Sequence, residues 1–273
     1  MTKRLFLKTL AGAAIVLACV GAHAQDALTR VKQVGVLRIG TETAFAPFDF
    51  IKDGDHVGFN VDLFKDVGKE LGVKVEWIAL PWEGVLPGLE ASKFDMVGGP
   101  ATITKARMER YRFSTPVADA SIALLKRKGD KAIMKPADIA GKAVGGGKAS
   151  AQLAQLKTFA ESLGKADVRE YPGNNEAYAD LAAGRISAVG NSIANISYVA
   201  QQRPDTFEVV MPPFGAKSYF GYIGRKDADS AKLMDAVDAA ILKMKKDGRL
   251  GALQKKWFGQ AFDTPDTVTD PGV

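Results

Sequence analysis

Short apolar runs with strand character alternate with amphipathic helical segments along most of this 273-residue chain, and the alternation starts twice. The first series opens at residues 36–40 and the second at residues 121–126. Strands that alternate with helices in this way form sheets whose faces the helices cover. The chain therefore predicts two α/β units in series, with a cleft between them where loops at the strand ends meet.

The first 24 residues differ in character from the rest of the chain. A basic start is followed by a short apolar run and by small residues that lead to Gln25. This order is typical of a secretory signal peptide cleaved before Gln25, and the run is shorter than the about 20 residues that a membrane-spanning helix needs. An alternative is a lipoprotein-type cleavage before Cys19, which would tether the mature protein to a membrane.

Composition excludes several classes of function. Three of the 37 basic residues lie in residues 1–24, which leaves 34 basic against 31 acidic residues and a net charge of +3. No basic cluster with interleaved aromatics remains, so no nucleic-acid partner is expected. Loss of this segment also removes the only cysteine and leaves His56 as the sole histidine, expected to be exposed in a polar turn. Paired-histidine zinc sites and most nucleophilic triads lack their components, and no cofactor is predicted.

Residues 96–114 (MVGGPATITKARMERYRFS) run from a strand through small residues into a helix that carries Arg107. Small residues let the backbone approach a ligand closely, and an arginine beyond them presents two parallel donors to a carboxylate. The alternative is that Arg107 is a solvated residue in the first turn of a helix capped by Thr104. For an isolated arginine, the second interpretation is the commoner one.

The order and spacing of several short motifs resemble those of one protein family, the periplasmic solute-binding proteins of the polar amino-acid type. No single motif is decisive, but together they cover residues 34–260, and the glutamine-binding members look most similar. The motifs are GVLRIGT at 35–41, FAPFDF at 45–50, VGFNVDL at 57–63, LPGL at 86–89, TITKAR at 102–107, FSTP at 113–116, AYADLAAGRISAV at 177–189 and KWFG at 256–259.

This resemblance implies a two-lobed α/β fold, the type II periplasmic-binding-protein fold. Two hinge strands, near residues 120–126 and 219–224, would join the lobes, and the ligand would lie in the cleft between them. The implied organisation is a signal peptide at 1–24, lobe 1 at 25–120 and 221–260, lobe 2 at 121–220 and a loose tail at 261–273.

The resemblance also implies which residues bind a ligand. Pro100 would offer its carbonyl to an ammonium group, Thr102 its N–H and hydroxyl, and Arg107 its guanidinium to a carboxylate. Glu42 falls where relatives place an acid against the tip of the ligand side chain. This position predicts that the ligand side chain ends in an amide or a cation. The alternative is that Glu42 is a solvated turn residue. Gly99 in the same loop is a further implied contact, as are Ser150, Ala151 and Gln152 at a helix N-terminus. Phe45 and Trp82 would enclose the ligand side chain; the alternative is that these two aromatics pack in the core.

One position departs from the family pattern. Relatives pair the ligand ammonium with an aspartate after a strand of lobe 2, where this chain has Asn191 and Ser192. A buried unpaired cation is costly. Either Glu42 compensates, or the ligand lacks a standard α-ammonium group, so "small carboxylate" is better supported than "amino acid".

The implied function is that of a monomeric periplasmic component of an ABC importer, which closes over a small amino acid and presents it to an inner-membrane permease. Three alternatives remain open: a binding protein for an opine, organic acid or amino-acid derivative; a membrane-tethered or receptor-coupled sensor; and a dehydratase-like enzyme. The enzyme would use Glu42 or Glu83 as an acid and is the least favoured, since acid–base groups are few.

Overall fold

The structure is a computed structural model that describes residues 25–164 and 166–273. The predicted signal peptide and Cys19 lie outside these residues. In the described parts of the chain, no helix is long and apolar enough to cross a membrane.

The first α/β unit is built on a sheet with strand order β5-β1-β6-β14-β7, and β8 also pairs with β14. Its parallel part is β5-β1-β6, and β14 runs antiparallel to its neighbours. The elements before the chain leaves this unit are α1 (Ala27–Val34), β1 (Val36–Thr41), β2 (Ala44–Phe45), β3 (Asp49–Lys52), β4 (Asp55–Val57), α2 (Phe59–Leu71), β5 (Lys74–Ala79), α3 (Trp82–Glu90), β6 (Met96–Thr102), α4 (Lys105–Arg110), β7 (Tyr111–Phe113) and β8 (Ala118–Asp119).

The second α/β unit has a sheet with order β11-β10-β12-β9-β13, in which β9 runs antiparallel to β12 and β13. Its elements are β9 (Ile122–Arg127), a 3₁₀ turn (Pro136–Ile139), β10 (Ala143–Gly147), α5 (Ala151–Ser162), β11 (Asp167–Tyr171), α6 (Asn174–Ala182), β12 (Ala188–Ser192), α7 (Ile193–Gln202) and β13 (Phe207–Phe214). The chain then returns to the first sheet with β14 (Tyr219–Arg225), α8 (Ala228–Lys246) and α9 (Arg249–Phe258). The predicted α/β class is confirmed, and strands β2, β3 and β4 form a further, three-stranded antiparallel sheet.

Strand β6 shows why the site loop is built from small residues. The sequence predicts a short strand over 94–97 that ends at the glycines, but the strand continues to Thr102, and all of its residues are buried. A Cβ on Gly98 would lie 2.3 Å from Cγ2 of Ile39 and 2.9 Å from the ring of Phe64. Only glycine fits there, because the neighbouring strand β1 and helix α2 pack directly against the β6 backbone.

The chain passes between the two units at residues 120–121 and 215–218, which we call the crossing segments. They lie side by side, since the N–H of Ala120 donates to the carbonyl of Ser218 over 2.9 Å. The expected second hinge, 219–224, falls within β14 of the first sheet, directly after the crossing. The lobe boundaries remain predictions.

Two segments pack more closely than their sequences predict. In the tail, Thr264 is buried and donates to the carbonyl of Pro116 over 3.1 Å, and the ring of Phe262 lies 5.2 Å from that of Phe258. The tail is therefore held against the first unit rather than loose. His56, which the sequence analysis expects to be exposed, is partly buried, with Nε2 2.9 Å from the carboxylate of the fully buried Asp49.

Candidate functional site

A cavity lies between the two units, at the carboxyl ends of β1, β6, β10, β11 and β12. Strand ends at which two α/β units meet are the usual place for a ligand in such folds. The cavity has a volume of about 30 Å³, room for about two water molecules. Its lining is Glu42, Phe45, Trp82, Pro100, Thr102, Arg107, Gly147, Lys148, Ser150, Ala151, Gln152, Pro172, Gly173, Asn174, Asn191 and Phe220.

Most of the residues expected from the sequence meet in this cavity. Gly99 and Ser192 are the exceptions: neither belongs to its lining. A Cβ on Gly99 would lie 3.2 Å from the hydroxyl of Thr41, so this glycine faces strand β1. The lining residues that the sequence analysis missed are Gly147, Lys148, Pro172, Gly173, Asn174 and Phe220.

Arg107 reaches into the space between the units from helix α4. Its guanidinium donates to the carbonyl of Thr102 over 3.0 Å and, across the units, to the carbonyl of Ala149 over 3.3 Å. It lies 5.6 Å from the ring centroid of Trp82. No carboxylate of the described chain forms an ion pair with it, and burial lowers the pKa of Arg107 to about 10. The half-buried guanidinium is therefore a cation without an anionic partner in the described chain, which a bound carboxylate would neutralise.

Glu42, the only carboxyl group among the described lining residues, has little access to water. It is 9% exposed, and within residues 25–164 and 166–273 its carboxyl group has no hydrogen-bond or ion-pair partner. Burial, helped by the nearby Asp49, raises the pKa of Glu42 to about 8. At neutral pH the group is mostly protonated, and a cation that entered the cavity would draw it into its charged form.

The part of the second unit's wall around Asn191 is neutral and internally bonded. Asn191 donates to the side-chain oxygen of Asn174 over 3.1 Å and to the hydroxyl of Tyr178 over 2.9 Å. Its own side-chain oxygen accepts the N–H of Ser192 over 2.8 Å. Ser192 is fully buried and caps α7, where its hydroxyl donates to Asn195. The Ser192 side chain is thus turned into its own helix, away from the cavity.

Asn174 is the most informative residue that sequence reasoning missed. It begins α6 directly after Pro172 and Gly173, which follow β11. Strand β11 lies beside β10 in parallel, so its end meets the same edge of the sheet as Gly147. The sequence signal that could have identified Asn174 was therefore the turn at residues 172–173, directly after a predicted strand.

Several contacts hold the two units together around the cavity. Gln152 donates to the hydroxyl of Thr102 over 3.0 Å, and the indole of Trp82 donates to the carbonyl of Ala149 over 3.3 Å. Lys148 forms an ion pair with Glu83 at 2.7 Å. The site is therefore closed, with polar groups of both units facing each other across it.

The comparisons with known proteins agree with this geometry. Residues 37–260 match the family model described as bacterial extracellular solute-binding proteins, family 3. The L-cystine-binding protein TcyJ of Escherichia coli K12 is 35% identical over 235 residues, which cover 85% of this chain and 86% of that protein. The lysine/arginine/ornithine-binding periplasmic protein of the same organism is 32% identical, over 81% of this chain and 87% of its own length.

Solved structures show the same architecture. An ancestral arginine-binding protein bound to arginine superposes with a TM-score of 0.76 at 35% identity, over 82% of this chain and 99% of its own. The ancestral amino acid-binding protein AncCDT-1, described as a precursor of cyclohexadienyl dehydratase, has a TM-score of 0.77 at 32% identity, over 85% and 99%. These neighbours are two-lobed amino-acid-binding proteins, and this chain belongs to family 3 of the bacterial extracellular solute-binding proteins.

Proposed function

We propose that this protein is the periplasmic substrate-binding component of an ABC importer. It captures a small amino acid between its two lobes as a monomer and presents the closed form to an inner-membrane permease. The observation that carries this proposal is the Arg107 guanidinium, which faces the interunit cavity with no carboxylate partner in the described part of the chain. A ligand carboxylate supplies the missing anion, in charge-assisted bonds each worth about 1.5–3 kcal/mol.

The residues at the other end of the cavity narrow the class of ligand. Glu42 favours a side chain that carries a cation or an amide, since these groups donate hydrogen bonds to an acid. Phe45 and Trp82 supply apolar walls that exclude water from these bonds. A glutamine ligand, as the sequence resemblance implies, and a non-standard carboxylate such as an opine both remain within this class.

Lobe closure is the step that couples capture to delivery. The crossing segments are the paired connections between the two sheets, so rotation about residues 120–121 and 215–218 would separate the walls of the cavity. A ligand that bonds to both walls favours the closed state, because those contacts exist only when the lobes meet.

Calorimetric titration of the chain lacking residues 1–24 tests the proposal. The titrants are the standard amino acids, opines and organic acids, and we expect at least one to bind with micromolar or lower Kd. Arg107→Ala should weaken that binding about 100-fold or more. Arg110→Ala is the matched control, since Arg110 lies on the same helix but pairs with Glu90 at the surface. Absence of micromolar binding by any titrant, or binding that Arg107→Ala leaves unchanged, would contradict the proposal.

An enzymatic role is the second candidate, favoured by one observation. A mostly protonated Glu42 in a closed cavity is chemically able to donate a proton to a leaving group. Glu83 does not line the cavity and is paired with Lys148 instead. Turnover of prephenate or arogenate that is abolished in Glu42→Gln would establish this role, whereas binding without turnover would leave the transport role alone.

The predicted signal peptide implies export to the periplasm. Mass spectrometry of the mature N-terminus in the producing cell distinguishes the two versions: a free Gln25 indicates a soluble periplasmic protein, and a lipidated Cys19 indicates a membrane-tethered one.

A further inference from the structure

Two ionisable groups of the cavity have no ion-pair partner in the described chain, and they lie at different ends of it. Arg107, together with Ser150, also borders an outer groove of about 690 Å³. Glu42, together with Pro172 and Gly173, borders a separate groove of about 370 Å³. Among the described residues, these two grooves have no lining residue in common. A ligand that is held between the two units, once they have opened far enough to admit it, therefore meets the guanidinium at one end and the carboxyl group at the other.

The cavity offers a cation very few partners. Of its lining residues in the described chain, Glu42 is the only one with a carboxyl group. Lys148, the other charged residue besides Arg107, is already paired with Glu83 at 2.7 Å. A cation is therefore matched by an anion only at the Glu42 end.

The Arg107 end offers neutral groups only. The α-ammonium of an amino acid is bonded to the same carbon as its carboxylate, so it lies beside Arg107 whenever Arg107 holds that carboxylate. The oxygens at this end are the carbonyl of Pro100 and the hydroxyl of Thr102, and the latter already accepts the amide of Gln152. An ammonium that loses its water here without meeting an anion pays a desolvation cost of several kcal/mol.

The facing wall does not supply the missing anion. Both amide hydrogens of Asn191 are donated, to Asn174 and to Tyr178, and its oxygen accepts the N–H of Ser192. The groove beyond Glu42, by contrast, contains a second acid: a Cβ on Gly173 would lie only 2.8 Å from Oε2 of Glu176. The acidic side chains Glu42 and Glu176 thus lie together at the end remote from Arg107.

We infer, building on the proposed function, that this site recognises a carboxylate at Arg107 and a cation at the distant Glu42 end, and gains little from an α-ammonium group. The substrate class is that of carboxylates with a terminal amino or guanidino group, together with basic amino acids whose α-nitrogen is acylated and therefore uncharged. Free lysine and arginine carry one cation more than the cavity can pair.

Paired ligands test this inference on the wild-type protein. Lysine is compared with its desamino counterpart ε-aminocaproate, and arginine with δ-guanidinovalerate, by calorimetric titration at about pH 8. We expect each desamino ligand to bind at least as tightly as its parent amino acid. A loss of about tenfold or more on removal of the α-amino group, the result of discarding a paired charge, would overturn the inference.

Two variants test which residues set the preference between amino acids and desamino ligands. Glu42→Gln should remove the advantage of ε-aminocaproate over hexanoate, because the distant cation then has no anion. Asn191→Asp places a carboxylate of the same shape on the facing wall and should shift the preference towards lysine by about tenfold. An unchanged preference in both variants would contradict the inference.

The outcomes also separate this inference from the proposed function. If an α-amino acid binds tightly and its desamino counterpart does not, the transport role stands and the inference fails. If neither the amino acids nor the desamino ligands bind, and Arg107→Ala changes nothing, the proposed function itself fails.

Discussion

The side-chain amide of Gln152 donates to the hydroxyl of Thr102 over 3.0 Å, and so joins helix α5 of the second unit to strand β6 of the first. The same amide donates to the carbonyl of Ala120, in a crossing segment, over 3.2 Å. Gln152 and Thr102 are both buried. The bond connects the two walls of the cavity at the point where the chain passes between the units.

Replacing this amide should favour the open form. Gln152→Leu keeps the apolar stem but removes both bonds, each with a net worth of about 0.5–1.5 kcal/mol. We expect a larger radius of gyration without ligand and ligand binding weakened about fivefold to 150-fold. Small-angle X-ray scattering and calorimetry measure the two effects. Gln202→Leu, at an exposed position at the end of α7, is the control, and equal behaviour of the two variants would contradict a role in closure.

Close packing at β6 gives a prediction about stability. Gly98→Ala places a methyl group 2.3 Å from Ile39 and should lower the free energy of unfolding by about 1–3 kcal/mol, measured by urea denaturation. Gly251→Ala in helix α9 is the matched substitution, because its nearest neighbour would be 3.9 Å away. That variant should instead be stabilised by about 0.5–1 kcal/mol through helix propensity. Similar losses in both variants would refute the packing explanation.

The buried carboxyl group of Glu42 should make stability depend on pH. Its pKa is raised from 4.5 to about 8 in the folded state, so the folded protein holds a proton that the unfolded chain releases. The free energy of unfolding therefore falls as pH rises through this interval, by about 3 kcal/mol at pH 7. Glu42→Gln should lack this fall and be more stable than the wild type at about pH 8, but not at about pH 5. Parallel pH profiles of the two proteins would contradict the assignment.

The same group should release a proton when a cationic ligand binds. Ionised Glu42 is the form that pairs with the cation, and below its pKa of about 8 this form becomes scarcer as pH falls. Affinity for ε-aminocaproate should thus rise about tenfold per pH unit up to about pH 8 and then level off. Calorimetry in buffers of different ionisation enthalpy counts the proton released. Glu42→Gln should release none, and a pH-independent wild-type affinity would contradict the mechanism.

Local patterns in the sequence determined much of this protein. Strand and helix periodicity predicted two α/β units, and the order of the short motifs, through the family resemblance, predicted that Arg107 faces a ligand near a strand end. Such features depend on neighbours within a few residues, which is why a single sequence reveals them. The positions of Pro100, Thr102 and Arg107 in the cavity lining agree with that prediction.

Only the tertiary structure decided the features that depend on contacts between residues far apart in the sequence. Strand β14 lies between β6 and β7, Gln152 reaches Thr102 across 50 residues, and Asn174 joins the cavity wall. Ser192 turns towards Asn195 because it caps a helix, and Glu42 loses its water because the second unit covers it. Whether a polar side chain meets solvent, a partner or a ligand depends on which distant segment packs against it, and that is fixed only when the whole chain has folded.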